Sequence, residues 1–199
     1  MNLSVPEQRL LDFTREQFGE QLSQFLLAGL GEENIGQRGR FDITYASSEN
    51  AILKRHVEVI TYEPIDGSSY LPCGRHPLVL IALLHLLMNS NQGSLNTLRY
   101  QQAEVLSLLG WEDTQKARRE IDEAVERYFK LTYIWKMNKS ELADAKLNFF
   151  TANEAMFSEY ESIETEDGKS TRIVFNEHFI EQLLSRSLFD IDWNNARKI

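Results

Sequence analysis

The sequence predicts an α+β fold, a winged helix-turn-helix domain with an N-terminal helix and a strand pair packed on it. Three observations predict it. The run from Leu78 to Met88 is apolar on every side except at His85, as in a helix buried at the middle of a domain. A strongly amphipathic stretch runs from Asp113 to about Lys130, directly after Leu109-Gly110-Trp111. From residue 76 onward the order reads helix, short strand, helix, turn, helix, strand, hairpin, which is the order of a winged helix-turn-helix.

The elements follow in order. Residues 5–28 read as a helix, with Leu10, Leu11, Phe18, Leu22, Phe25 and Leu26 near helical spacing. The glycine-rich GLGEENIGQRGR after it is a surface turn or helix C-cap. It follows a helix, whereas a phosphate-cradling loop follows a strand. FDITYAS (41–47) and LKRHVEVITY (53–62) alternate as strands and end at Pro64, Asp66 and Gly67. The apolar helix comes next, with Pro77 in its first turn and a polar stop from Asn89 to Gly93. Its 11 residues from Leu78 to Met88 fall short of the roughly 20 that a membrane span requires. Leu95 to Arg99 is a short strand and Gln101 to Leu109 a short helix. In the next helix, capped by Asp113 or Thr114, the residues Ala117, Ile121, Ala124, Val125 and Tyr128 form one apolar face. LTYIWKM (131–137) reads as a strand, Asn138 to Lys146 as a polar connection, and Asp167-Gly168 as the turn of a hairpin. Asn176 caps a last helix, Glu177 to Ser187, with Phe179, Ile180, Leu183 and Leu184 inward.

Charge narrows the functional classes. The net charge of −9 argues against indiscriminate nucleic-acid binding. Residues 1–70 carry 6 basic and 11 acidic side chains, residues 71–139 carry 9 and 7, and residues 140–199 carry 6 and 12. Only the middle segment is basic, so a phosphate partner belongs there. A single cysteine, Cys73, excludes an internal disulfide and points to a reducing, cytoplasmic compartment. The N-terminus has neither a basic start nor an unbroken apolar run, so no secretory signal is expected.

No catalytic or metal-binding pattern emerges, and no cofactor is implied. His56, His76, His85 and His178 pair with no other ligand at metal spacing; Cys73 and His76 lie three apart, and two ligands do not make a site. A buried thiol and a satisfied core histidine are the expected fates of Cys73 and His85. No enzyme is expected.

The exposed face of the helix after Gly110-Trp111 offers the candidate site. Gln115, Lys116 and Arg119 stand at its N-terminal end, where a recognition helix presents side chains to base edges. Arg118, Arg127 and Lys130 are placed to reach phosphates. The hairpin opposes this, because Glu159, Glu161, Glu164, Glu166 and Asp167 outnumber Lys169 and Arg172 and would repel a phosphate backbone. An edge hairpin of this kind can instead pair with a neighbouring subunit.

YLPCGRHPLVLIALLHLL, LRYQQAEVLSLLGW, ARREIDEAVERYFKLTYIW and IVFNEHFIEQLLSRSLFDIDW together resemble the replication initiator protein A family of bacterial plasmids, over roughly residues 56–193. The resemblance implies a full initiator with two winged domains that binds double-stranded DNA at origin repeats, recruits replication machinery and forms a homodimer. It places the turn at Gly110-Trp111 and the start of the reading helix near Thr114. Only one winged unit fits in this chain, and its hairpin is acidic. Both departures favour the dimerisation-type N-terminal part. The expected organisation is residues 1–70 as helix and strand pair, 71–193 as the winged domain, and 194–199 as the start of a linker to a second winged domain. A winged protein-interaction module and a transcriptional regulator stay open beside the initiator. No membrane partner is expected.

Overall fold

A computed structural model describes residues 2–31, 41–47, 56–64, 71–90, 94–138, 149–165 and 168–184. Helix α1 spans Val5–Leu26. Ser4 and Glu7 form a capping box at its start. The Ser4 N–H donates to Glu7 Oε2 at 2.7 Å, and the Glu7 N–H donates to Ser4 Oγ at 3.4 Å. In the turn after the helix stands Gly29, whose φ is +84°. A Cβ there would lie 2.6 Å from the Pro72 carbonyl oxygen, so both conformation and close approach require glycine. The chain turn is tied to the later core, with the Gly31 N–H donating to the Gly74 carbonyl at 2.9 Å.

Strands β1 (Phe41–Ser47) and β2 (His56–Pro64) form the expected antiparallel pair. Helix α2 (His76–Asn89) is the apolar run, with Pro77 in its first turn and every residue from Leu78 to Leu84 buried. It is the centre of the core, and truncating one of its leucines to alanine is expected to cost about 2–5 kcal/mol. Among the described residues no helix is long and apolar enough to cross a membrane.

Strand β3 (Thr97–Gln101), helix α3 (Gln102–Leu109), helix α4 (Gln115–Phe129) and strand β4 (Leu131–Asn138) follow. Strand β3 starts two residues later than its expected position. Strand β5 (Phe149–Ala155) is a strand the sequence reading does not anticipate. Strands β6 (Phe157–Thr165) and β7 (Gly168–Phe175) form the hairpin, and α5 (Glu177–Leu184) follows. Asn176 caps α5 as expected, its Oδ1 accepting from the N–H groups of His178 at 3.0 Å and Phe179 at 3.4 Å.

Two antiparallel sheets result. One has the order β3-β7-β6, the small sheet of a winged fold; the other has the order β1-β2-β4-β5. The N-terminal strand pair is therefore extended by strands from the later chain, with Ile60 opposite Trp135 and Trp135 opposite Ala152. The core beneath the small sheet is aromatic. Phe157 meets Phe175 edge to face at 4.9 Å, and Phe175 stacks on Phe179 at 6.3 Å. Residues 32–40, 53–55 and 185–199, the hairpin residues Glu166 and Asp167, and the side chains of Leu22, Phe25 and Leu184 lie outside what is described.

His85 departs from its expected fate. Among the described residues its buried Nδ1 has no hydrogen-bond partner, and the ring packs edge-on against Phe13 at 4.7 Å. Burial lowers its pKa.

Candidate nucleic-acid interface

The helix-turn-helix is α3, its turn and α4. Gly110 makes the turn at φ +64°. The Trp111 N–H donates to the Leu106 carbonyl at 3.0 Å and the Gly110 N–H to the Ser107 carbonyl at 3.2 Å, the reciprocal pair of a Schellman motif. Thr114 then caps α4, its Oγ1 accepting from the Ala117 N–H at 3.2 Å. Ile121, Ala124, Val125 and Tyr128 are buried, which turns the opposite face of α4 outward.

The six expected contact residues separate into two groups. Gln115, Lys116 and Arg119 are exposed along the N-terminal half of α4. Arg119 is 73% exposed and reaches Glu123 only at 4.0 Å. The other three are engaged. Arg118 makes a two-pronged contact with Asp113, Nε to Oδ1 at 2.5 Å and Nη2 to Oδ2 at 2.7 Å. Hydrogen bonding to Arg118 holds the Asp113 carboxyl below its ordinary pKa. Arg127, only 21% exposed, donates to the Leu71 carbonyl at 3.1 Å and to Cys73 Sγ at 3.4 Å. Lys130 pairs with Glu126 at 2.8 Å.

Three groups that sequence reasoning missed complete the surroundings. On the wing side of α4, Asp122 accepts from Gln102 Nε2 at 2.7 Å and pairs with Lys169 of β7 at 2.8 Å. The wing is thereby fastened to the helix by one of its few cations. Glu161, Ile163 and Glu164 of the wing are exposed, while Glu159 pairs with Arg172 at 2.7 Å.

On the other side, Glu7 is nearly inaccessible to solvent, its side chain 1% exposed. Its Oε1 accepts from the Trp111 indole N–H at 3.0 Å and lies 3.7 Å from Arg75 Nε. Burial raises the Glu7 pKa, but the Ser4 and Trp111 hydrogen bonds and the Arg75 charge outweigh it, and the net shift is downward. Arg75 sits over the Trp111 ring, 5.6 Å from its centroid. The Ser4-Val5-Pro6-Glu7 spacing is a visible helix start, but nothing local to it announces a partner at residue 111.

Arg75, Lys116, Arg119 and Arg127 line a cleft of about 600 Å³ between the start of α2 and the outer face of α4, with Glu120 and Glu123 also in its wall. At its edge His76 is buried, its Nδ1 accepting from the Cys73 N–H at 3.3 Å. Burial, aided by the nearby Arg127 charge, lowers the His76 pKa to about 4. Among the described residues no group of three or more His, Cys, Asp or Glu side chains is placed to hold a metal ion.

No protein-family model matches the chain, and no curated protein matches it. Solved structures do. A crystal structure of selenomethionine derivatives of domains 2 and 3 of RctB superposes with a TM-score of 0.57 and 17% identity, covering 79% of this chain and 57% of that one. A second crystal structure of RctB domains 2–3 gives a TM-score of 0.60 and 16% identity, covering 82% of this chain and 59% of that one. The likeness is one of fold. The chain spans under two thirds of the length of either structure.

Proposed function

We propose that this chain is the N-terminal winged part of a DNA-binding replication initiator of a plasmid-type replicon. The observation that carries the reading is the helix-turn-helix itself. A glycine turn and a threonine cap set α4 so that Gln115, Lys116 and Arg119 stand together on its exposed N-terminal half. Two supports bear on initiation: the sequence resemblance to plasmid initiators, and a fold like that of domains of RctB, a replication initiator. Gln115, Lys116 and Arg119 are the groove contacts in this reading. Arg118, Arg127 and Lys130 flank them and exchange their present partners for phosphates. The activity is binding, with no catalysis and no cofactor. A transcriptional regulator would use the same geometry.

A salt titration of duplex binding tests the reading, using fluorescence anisotropy on origin-type repeats. Lys116→Ala combined with Arg119→Ala is expected to weaken binding to the specific duplex and to flatten the plot of log affinity against log salt. Unchanged affinity and slope would remove α4 as the reader.

A second reading has its own observation. Strand β6 is an edge of its sheet and carries exposed Ile163 between exposed carboxylates. That edge suits strand addition from a second copy. A stable dimer in light scattering, with no DNA affinity at low salt, would favour an interaction module over a DNA reader.

A further inference from the structure

We propose that Arg75, which lies outside the helix-turn-helix, contacts a nucleic-acid backbone phosphate in the cleft beside the groove contacts Lys116 and Arg119. The DNA strand is then held on the α2 side of α4 rather than by the wing. This rests on the DNA-binding reading above and adds to it a residue and a direction.

The two flanks of α4 are unlike. On the wing flank, Asp122 already takes the Lys169 ammonium and the Gln102 amide. Beyond them the wing exposes Glu161 and Glu164, so a phosphate approaching there meets carboxylates. On the α2 flank, cations from two separate elements converge on one cleft. Glu120 and Glu123 face them, and burial raises the Glu120 pKa even with Arg75 and Lys116 close by. Arg127 must first leave the Leu71 carbonyl, whereas Arg75, Lys116 and Arg119 are more exposed and meet a ligand first.

Arg75 is prepared for that role. It is the residue before α2, 42% exposed, stacked over Trp111 and drawn toward Glu7 through Nε. A planar guanidinium held on an aromatic face loses little freedom on binding and keeps further N–H donors for a phosphate's oxygens. Glu7, nearly inaccessible to solvent, orients Arg75 without itself being offered to the ligand.

The test compares the full chain with Arg75→Gln, Arg75→Lys and Lys169→Gln in salt titrations on a specific and a scrambled duplex. Arg75→Gln is expected to flatten the slope by about 0.9 and to weaken binding on the order of tenfold at low salt, equally on both duplexes. Arg75→Lys should keep the slope, and Lys169→Gln should leave it unchanged. Melting temperatures accompany each variant. A purely structural Arg75 would lower the melting temperature in both substitutions and leave the slope alone, and that result overturns the proposal. An unchanged slope in Arg75→Gln beside a salt-dependent wild type rejects Arg75 but spares α4 as the reader. Absence of salt-dependent binding by the wild type rejects both.

Discussion

The indole N–H of Trp111 donates to Glu7 Oε1 at 3.0 Å, joining residues 104 positions apart. One end of this bond is the first turn of α1 and the other is the turn of the helix-turn-helix. The N-terminal helix is thus a clamp on the turn that aims α4. Glu7→Gln and Trp111→Phe are each expected to destabilise the fold by about 1–3 kcal/mol, the cost of an unsatisfied buried partner. A double-mutant cycle from urea unfolding should give a coupling above about 0.5 kcal/mol. Additive effects would show that the two residues act separately.

Gly110 is constrained twice. Its φ is +64°, and a Cβ there would lie 2.5 Å from Pro6 Cγ. Gly110→Ala is expected to cost about 2–3 kcal/mol, above the roughly 1–2 kcal/mol of the left-handed conformation alone. Adding Pro6→Ala should recover part of that stability. If the double variant is no more stable than the single one, the Pro6 ring is not the obstacle.

Acid should loosen the α2 side of the cleft. The His76 pKa is lowered from 6.5 to about 4, so below pH 6.5 the unfolded chain binds more protons than the folded one. Its contribution is fully present above pH 6.5 and disappears as pH falls through 4, about 3 kcal/mol in all. Glu7, its pKa also lowered, adds a destabilisation of the same sign below its ordinary value of 4.5. A urea series from pH 7 to 4 on wild type and His76→Asn should show the flatter profile in the variant. A His76 ring titrating near 6.5 by NMR would contradict the burial argument.

His85 offers a gain. Among the described residues its buried Nδ1 has no partner, so His85→Leu removes an unmet polar nitrogen while keeping bulk beside Phe13. The expected change is about +1 kcal/mol, or a rise of about 2–4 °C in melting temperature for a chain of this size. A lower melting temperature would mean that the ring's contact with Phe13 outweighs the unmet nitrogen.

The sequence makes legible what local chemistry decides. Thr114 at the cap, Gly110 at the turn and the 3.6-residue stripe through Ile121 and Val125 each announce themselves within a few residues. Distant contacts do not. Arg118 reads as a free cation until Asp113 is seen to grip it, and Arg127 until the Leu71 carbonyl is found behind it. Arg75 gains a role only because Glu7 and Trp111 arrive from elsewhere in the chain. Strand β5 is hidden in the sequence because FFTANEA alternates poorly, and its pairing with β4 supplies the order that its composition does not.

Leu131 and Met156 are both buried, and between them Thr132 faces Ala155 in register. The Asn176 N–H donates to the Met156 carbonyl at 2.9 Å. The chain therefore leaves the winged core and returns to it through a closed neck one residue pair wide. Strands β4 and β5 run out from that neck side by side, and β4 carries the N-terminal strand pair on its other edge. The second sheet is thus joined to the winged core through a hinge whose two feet are already planted together.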